Sequence, residues 1–175
     1  MSAVGERNDL GQSAAQRLHI LTSYRTIAMV GLSSNYYNPS SFAAVYLDAN
    51  GYDIVPVNPV HAGKREIMGR PVYADLRDAA AHHPRQIDIV DVFRPAPEAT
   101  ELAEQAIEIG AKVLWLQLGV INTDAATLAR DAGLSVVMDR CCKIEHARFF
   151  GGLRTIGLNT GVVTSRLAMR LPREL

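Results

Sequence analysis

The chain has 175 residues, 48% of them hydrophobic and 21% charged, which is typical of one globular domain. Lysine and arginine number 18, as do aspartate and glutamate, so the formal net charge is zero. This balance argues against a nucleic-acid partner, because nucleic-acid-binding domains are usually basic. No segment approaches the ~20 apolar residues that cross a bilayer, and the first ten residues do not resemble a signal peptide. We therefore expect no membrane partner.

The two cysteines, Cys141 and Cys142, are adjacent, so one bridge between them cannot join distant parts of the fold. This pattern favours a reducing compartment, and we expect a cytoplasmic protein. A thiolate flanked by Arg140 and Lys143 would have a lowered pKa. The alternative interpretation is a pair of small, partly buried residues without reactivity.

Apolar, β-branched runs alternate along the chain with helical patterns, which predicts βαβ crossovers and a parallel sheet. The runs are apolar throughout rather than alternating, as expected for strands covered on both faces. We predict a single Rossmann-like α/β domain with a doubly wound parallel sheet of about five strands. The predicted strands are Ile27–Val30, Ile54–Val57, Ile87–Val92, Val113–Leu118 and Leu134–Met138.

Capping residues and glycines predict where the helices begin and end. Five helices are predicted in this way. The first lies near Asp9–Ser23, and the second begins with Asn38 and Pro39 and ends before Gly51. A short third helix at Leu76–His82 is capped by Asp75, the fourth covers Pro97–Ile109, and the fifth begins at Asn122 or Thr123 and ends at Gly133. We divide the chain into an N-terminal helical segment (1–25), the Rossmann-like domain (26–150) and a C-terminal tail (151–175) that is mobile or forms an interface.

Ligands of open parallel sheets bind beyond the carboxyl ends of the strands, so the loop after the first strand is the first candidate site. Gly31 allows a sharp turn there, and Ser33, Ser34 and Asn35 supply polar groups before a helix N-terminus. These features favour an anion site. A polar loop that only caps its own helix remains the alternative, because one glycine is weak evidence for phosphate binding.

The second strand argues against a nicotinamide cofactor. Dinucleotide-binding folds usually end this strand with an acid that binds ribose hydroxyls, whereas here Asn58 and Pro59 follow it. Tyr36 also occupies the position of the third glycine in the dinucleotide fingerprint. Lys64, in the same loop as Asn58, is either a phosphate ligand or a solvated lysine.

Six stretches in order resemble the CoA-binding domain family, the stand-alone relatives of the N-terminal domain of the succinyl-CoA synthetase alpha subunit. The similarity spans about Ile27 to Glu145. Its motifs are VGLSSN with NPSS, GYDIVPVNP with a following GK, GRPVYADL, DIVDVFRPA, AIEIGAKVLWLQLGVIN and AGLSVVMDRCCKIE.

The resemblance implies that CoA or acyl-CoA lies across the carboxyl edge of the sheet. By motif, its phosphates would be bound by Gly31, Ser33, Ser34 and Asn35; its nucleotide end by Asn58, Pro59 and Lys64; and its remaining borders by Phe93, Arg94, Pro95, Gln117, Leu118 and Gly119, the last three beside the pantetheine arm. Two positions depart from the family pattern. Asn38 replaces an arginine, and Cys141–Cys142 replaces Cys-Pro.

The synthetase acts through a histidine on a second domain that this chain lacks, and we find no metal-ligand or nucleophile motif. We therefore expect a non-catalytic module that binds CoA or acyl-CoA. The alternatives are a nicotinamide-dependent oxidoreductase, an incomplete acyl-CoA ligase, or an interaction module that has lost its ligand. A homodimer is expected if the tail packs on a second copy.

Overall fold

The computed structural model describes residues 13–151, where five strands alternate with six α-helices. The elements are α1 (Ala14–Ser23), β1 (Thr26–Val30), α2 (Pro39–Ala49), β2 (Asp53–Val57), α3 (Leu76–His82), β3 (Ile89–Val92), α4 (Ala99–Glu108), β4 (Val113–Leu116), α5 (Thr123–Asp131), β5 (Ser135–Val137) and α6 (Cys142–Phe150). A 3₁₀ turn at Ala96–Glu98 leads into α4.

The strands form one parallel sheet in the order β2-β1-β3-β4-β5, which confirms the predicted doubly wound α/β fold. The register places Ala28 of β1 opposite Val55 of β2 on one side and Val90 of β3 on the other. The chain leaves β1 toward β2 and later returns to β3 on the opposite side. The direction of winding therefore reverses between β1 and β3.

Successive strand residues face opposite sides of the sheet, so the domain has two apolar cores. Ala28 and Val90 belong to the core covered by α3, α4 and α5. Ile27, Met29 and Trp115 belong to the core covered by α1, α2 and α6. Strands buried on both faces explain why the sequence shows continuous apolar runs.

The predicted capping residues begin their helices as expected. The side-chain oxygens of Asn38, Asp75 and Asn122 accept hydrogen bonds from backbone N–H groups in the first turns of α2, α3 and α5. Helix α1 begins after Ser13, which forms a capping box with Gln16. Residues 9–12 of the predicted N-terminal helix and residues 152–175 of the tail lie outside the described residues.

Three strands are shorter than predicted. β3 begins at Ile89 rather than Ile87, β4 ends at Leu116 rather than Leu118, and β5 covers only Ser135–Val137. The β4 strand stops because the chain turns immediately afterwards, with the Val120 N–H bonded to the Gln117 carbonyl at 2.8 Å. Apolar runs extend past the strands because residues such as Ile87 and Met138 are buried without joining the ladder.

Candidate functional site

The carboxyl ends of β1 and β3 form the switch point of the sheet, and ligands of open α/β folds bind in the crevice outside such a point. All thirteen residues predicted for the site follow the strands at this edge of the sheet. They are Gly31, Ser33, Ser34 and Asn35 after β1; Asn58, Pro59 and Lys64 after β2; Phe93, Arg94 and Pro95 after β3; and Gln117, Leu118 and Gly119 after β4.

Gly31 allows the loops after β1 and β3 to approach closely. Its φ is +88°, which glycine tolerates and other residues rarely adopt. A Cβ at this position would lie 2.9 Å from Cδ of Arg94 and 3.1 Å from the carbonyl oxygen of Phe93. Its N–H donates to the Val57 carbonyl at 2.8 Å, so the same residue ties β1 to the end of β2.

The loop from Gly31 to α2 leaves alternate backbone N–H groups open. The N–H of Ser33 donates to Ser40 Oγ at 3.1 Å, that of Asn35 to Ser33 Oγ at 3.0 Å, and that of Tyr37 to Asn35 Oδ1 at 3.0 Å. Within the described part of the chain, the N–H groups of Ser34 and Tyr36 have no protein acceptor. These two open donors lie just before the N-terminus of α2, where a helix favours anions.

Positive charge reaches this loop from the segment after β2. Ser34 Oγ accepts a hydrogen bond from Nη1 of Arg65 at 3.3 Å, and it lies 3.4 Å from Nε2 of His61. Lys64 belongs to the same segment, but its Nζ donates to the Val60 carbonyl at 3.3 Å and not to the first loop. Arg65 and His61 therefore belong to the candidate site, although neither is among the thirteen residues predicted for it from the sequence. Their proximity to Ser34 depends on how the two loops fold against each other.

Asn58 connects the first two loops instead of presenting an acid to a ribose. Its Nδ2 donates to the Leu32 carbonyl at 2.9 Å, and its Oδ1 accepts from the Val60 N–H at 3.0 Å. Both polar atoms of the side chain are thus engaged in positioning backbone.

A small cleft of about 50 Å³ opens beside the first loop, between α2 and residues 66–68. Its walls combine the serine hydroxyls of the loop with apolar side chains. The lining residues are Leu32, Ser33, Ser34, Tyr36, Ser41, Val45, Glu66, Ile67 and Met68.

The loops after β3 and β4 present different surfaces to the crevice. Arg94 forms a two-pronged ion pair with Glu98, with distances of 2.8 and 2.9 Å, so this carboxylate offsets its charge. Leu118 is an apolar side chain that is 66% exposed at the sheet edge. The backbone N–H of Gly119 donates to Asp139 Oδ1 at 2.8 Å, which joins the loop after β4 to the loop after β5.

Asp91 is a fully buried carboxyl group beneath this edge, on the central strand β3. Its Oδ1 accepts a hydrogen bond from Gln117 Nε2 at 2.7 Å, while Oδ2 has no hydrogen-bond partner among the described residues. Burial raises the pKa of Asp91 to about 7, although the Gln117 hydrogen bond opposes the shift. Sequence reasoning missed this group, and the available signal was one acid inside the apolar run IVDVF.

Of the two interpretations of the cysteines, the structure agrees with the partly buried pair and not with a lowered thiol pKa. Cys141 is the N-cap of α6 and is partly buried, whereas Cys142 is fully buried. Burial raises the pKa of both thiols, and the nearby Asp91 carboxylate raises each further. For Cys141, the backbone N–H groups of Ile144 and Lys143 and the Lys143 charge act in the opposite direction, but burial dominates.

Residues 13–151 contain neither a group of side chains suited to a metal ion nor a helix suited to crossing a membrane. No group of three or more His, Cys, Asp or Glu side chains there is arranged to hold a metal ion. None of the described helices has the length and apolar character needed to span a bilayer.

Comparisons with known proteins agree with the fold. The family model of the CoA binding domain matches residues 25–147. The protein YneT of Bacillus subtilis (strain 168) is 34% identical over 135 residues, which cover 77% of this chain and 95% of YneT. The solved structure of a protein from Pyrococcus horikoshii OT3 is 37% identical with a TM-score of 0.75, covering 83% of this chain and 97% of that one.

These matches show that the chain belongs to the CoA-binding domain family. A dinucleotide-forming acetyl-coenzyme A synthetase of Candidatus Korarchaeum cryptofilum also has this fold, with a TM-score of 0.57. It is 18% identical, and the similarity covers 70% of this chain and 28% of the synthetase, so it supports the fold alone.

Proposed function

We propose that the protein binds CoA or acyl-CoA across the carboxyl edge of its sheet, with phosphates at the loop after β1. The observation that carries this proposal is the pair of open N–H groups at Ser34 and Tyr36, beside the Arg65 guanidinium. Backbone donors, a helix N-terminus and an arginine together favour a phosphate over a neutral ligand. Family membership supports CoA as the source of that phosphate.

In this arrangement each loop has a role that follows from its chemistry. The first loop, with Gly31, Ser33, Ser34 and Asn35, binds phosphate. The second contributes Asn58, Pro59 and the cations Lys64 and Arg65 at the nucleotide end. The remaining loops, which carry Phe93, Arg94, Pro95, Gln117, Leu118 and Gly119, border the crevice toward the pantetheine arm.

A nicotinamide cofactor fits this edge less well. The residue after β2 is Asn58, and both polar atoms of its side chain are engaged with backbone groups. The ribose of NAD would thus lack its usual carboxylate partner at the end of this strand. The hypothesis of an interaction module without a ligand does not explain why the open N–H groups of Ser34 and Tyr36 lie beside Arg65.

Thermal unfolding of the full chain with CoA, acetyl-CoA, NAD, NADP and ATP in parallel tests this proposal. A ligand at ~100 times its dissociation constant stabilises the native state by roughly 2.7 kcal/mol. We expect the melting temperature to rise by a few degrees with CoA or acetyl-CoA only. A rise only with NAD or NADP would support an oxidoreductase, and no rise with any ligand would favour the interaction module.

Two further expectations accompany this function. We expect a cytoplasmic location, because the adjacent Cys141 and Cys142 cannot form a disulfide framework and because CoA is the proposed ligand. A homodimer stays a prediction that depends on the C-terminal tail, and analytical ultracentrifugation of the full chain measures it directly.

A further inference from the structure

We propose that the C-terminal tail of the chain, residues 152–175, packs against the outer face of α2 and covers an apolar stripe there. This α2 stripe consists of Phe42, Val45, Tyr46 and Ala49. The inference concerns an interaction surface next to the candidate site, and it does not rest on the proposed CoA binding.

Helix α2 is apolar on both of its faces. Its inner face packs in the core through residues such as Ala43 and Leu47. The residues of the α2 stripe follow one another at the spacing i, i+3, i+4 and i+7, which is that of one helix face, and Phe42 is 53% and Val45 47% exposed. Only Asp48 is charged among the eleven residues of α2. Because the solvent face of a surface helix normally carries charged residues, the α2 stripe indicates a surface that another segment covers.

Helix α6 brings the chain to this surface. It runs beside α2 in the same direction, since Nζ of Lys143 lies 5.9 Å from the ring centroid of Phe42. About one turn further along both helices, Nδ1 of His146 lies 3.0 Å from Oη of Tyr46. Phe150, the last residue of α6, has its ring centroid 4.5 Å from that of His146 and is 44% exposed. The tail therefore begins beside the C-terminal end of the α2 stripe.

The tail carries an apolar pattern suited to such a surface. Val163, Leu167 and Leu171 recur at every fourth position, as on one face of a helix. Arg166 and Arg170 fall on a different side of the same pattern. The apolar positions can thus contact the α2 stripe while both guanidinium groups remain in water, so the contact requires no buried charge.

The tail is also long enough to reach every position of the α2 stripe. From Phe42 to Ala49 the stripe is about 11 Å long. Residues 152–162, which precede the apolar pattern of the tail, span up to about 36 Å when extended. The family model ends at residue 147, so the tail is an addition to the shared domain.

Attachment to the same chain favours the tail over a second copy as the occupant. A segment held by a short flexible linker acts at an effective concentration in the millimolar range, whereas a second copy must associate from solution. A tail bound to its own α2 is not available to another chain, which is the condition on which the homodimer depends. We therefore expect the full chain to be a monomer.

Thermal unfolding of the full chain tests the contact with Val45→Ser, Leu167→Ser and the double variant. Each single substitution should lower the melting temperature by about 2–4 °C. The double variant should unfold at nearly the same temperature as the single ones, because both changes remove the same contact. Ile121→Ser, at another apolar position that is 49% exposed, and Met169→Ser, outside the apolar face of the tail, are the matched controls and should not lower it. An unchanged melting temperature in Val45→Ser, or additive losses in the double variant, would overturn the proposal.

Two further measurements on the same variants locate the contact and identify the occupant. In amide NMR spectra of the ¹⁵N-labelled full chain, Leu167→Ser should shift the signals of residues 42–49 and leave those of α5 unchanged, and an unaffected α2 would refute the contact. Analytical ultracentrifugation should show a monomer for the wild type and for each variant. A wild-type dimer that dissociates in Val45→Ser or Leu167→Ser would show that a second copy covers the α2 stripe, and would overturn the assignment to the tail of the same chain.

Discussion

Gly31 and Arg94 lie against each other across the switch point of the sheet, at the ends of β1 and β3. The space for a Cβ at Gly31 is filled by the arginine side chain, with 2.9 Å to its Cδ. Arg94 is held in place by its two hydrogen bonds to Glu98. The first loop therefore has the shape required for the proposed phosphate site only while residue 31 has no side chain.

We predict that Gly31→Ala destabilises the protein and abolishes CoA binding. A φ of +88° costs an L-residue roughly 1–2 kcal/mol, and the new methyl group must also displace Arg94 or the Phe93 carbonyl. The matched control is Gly133→Ala, with φ +89° and open space around it. It should show similar backbone strain but bind CoA normally. Calorimetry and thermal unfolding measure both effects, and equal loss of binding in the two variants would contradict the role of Gly31.

Arg65→Ala should weaken CoA binding more than Lys64→Ala does. Arg65 reaches Ser34 Oγ in the first loop, whereas Lys64 donates to a carbonyl of its own loop. An exposed charged contact is worth up to ~1 kcal/mol, so we expect about a fivefold increase in the dissociation constant. Arg130→Ala, at an exposed position on α5, controls for the loss of one positive charge. A larger effect at Lys64 would show that the phosphate lies closer to Lys64 than to Arg65.

Asp91 should make the stability of the protein fall as the pH rises from about 4 to about 7. Its pKa is raised from 3.8 to about 7 in the folded protein, so between those values the native state binds more protons than the unfolded state. The slope of unfolding free energy against pH is then negative, and stability is lost as pH rises through this window. The three-unit shift sets an upper bound of about 4 kcal/mol on this loss.

Denaturant unfolding of Asp91→Asn at several pH values checks this prediction. The variant should gain stability relative to the wild type as the pH rises, and the gain should level off about one pH unit above the native pKa, where the carboxyl of Asp91 is almost fully ionised. Asp131→Asn, at an exposed position on α5, should show no comparable trend. A difference between Asp91→Asn and wild type that is constant with pH would mean that Asp91 has no raised pKa.

Glu145→Ala should be strongly destabilising because it removes the partner of two arginines. Glu145 is buried on α6 and contacts Arg17 of α1 at 2.8 Å and Arg148 at 3.1 Å. Removing one partner of a buried ion pair typically costs about 3–5 kcal/mol. Glu108→Ala, which breaks the exposed pair with Arg77, should cost much less, because solvent screens the charges of an exposed pair. Similar losses in urea unfolding of the two variants would refute a special role for the α1–α6 contact.

The sequence was sufficient to predict the fold because local signals and burial agree. Asn38, Asp75 and Asn122 cap the helices that their positions predicted, and the apolar runs form the strands. The strand ends could not be read from hydropathy, since Ile87 and Met138 are buried outside the ladder. Hydropathy indicates which residues are buried. The ends of a strand depend instead on where it pairs with another strand that is distant in sequence.

The candidate site was only partly predictable for a related reason. The loops that follow the strands were found, because parallel strands bring their carboxyl ends to one edge. Contacts between loops, such as Arg65 with Ser34, depend on loop conformation that no periodicity encodes. Of the two interpretations of the cysteines, the structure agrees with the partly buried pair, because the burial around the Cys141 thiol affects its pKa more than its charged sequence neighbours do.

The most direct test of the central claim is a CoA titration of the ¹⁵N-labelled full chain, followed by amide NMR shifts. If CoA lies across the carboxyl edge, the largest changes should occur at the N–H groups of Ser34 and Tyr36, with further changes in residues 117–119. Amides at the opposite end of the sheet, such as that of Asp53 at the start of β2, should stay unchanged. Changes centred on that opposite end, or no changes at saturating CoA, would contradict the proposed site.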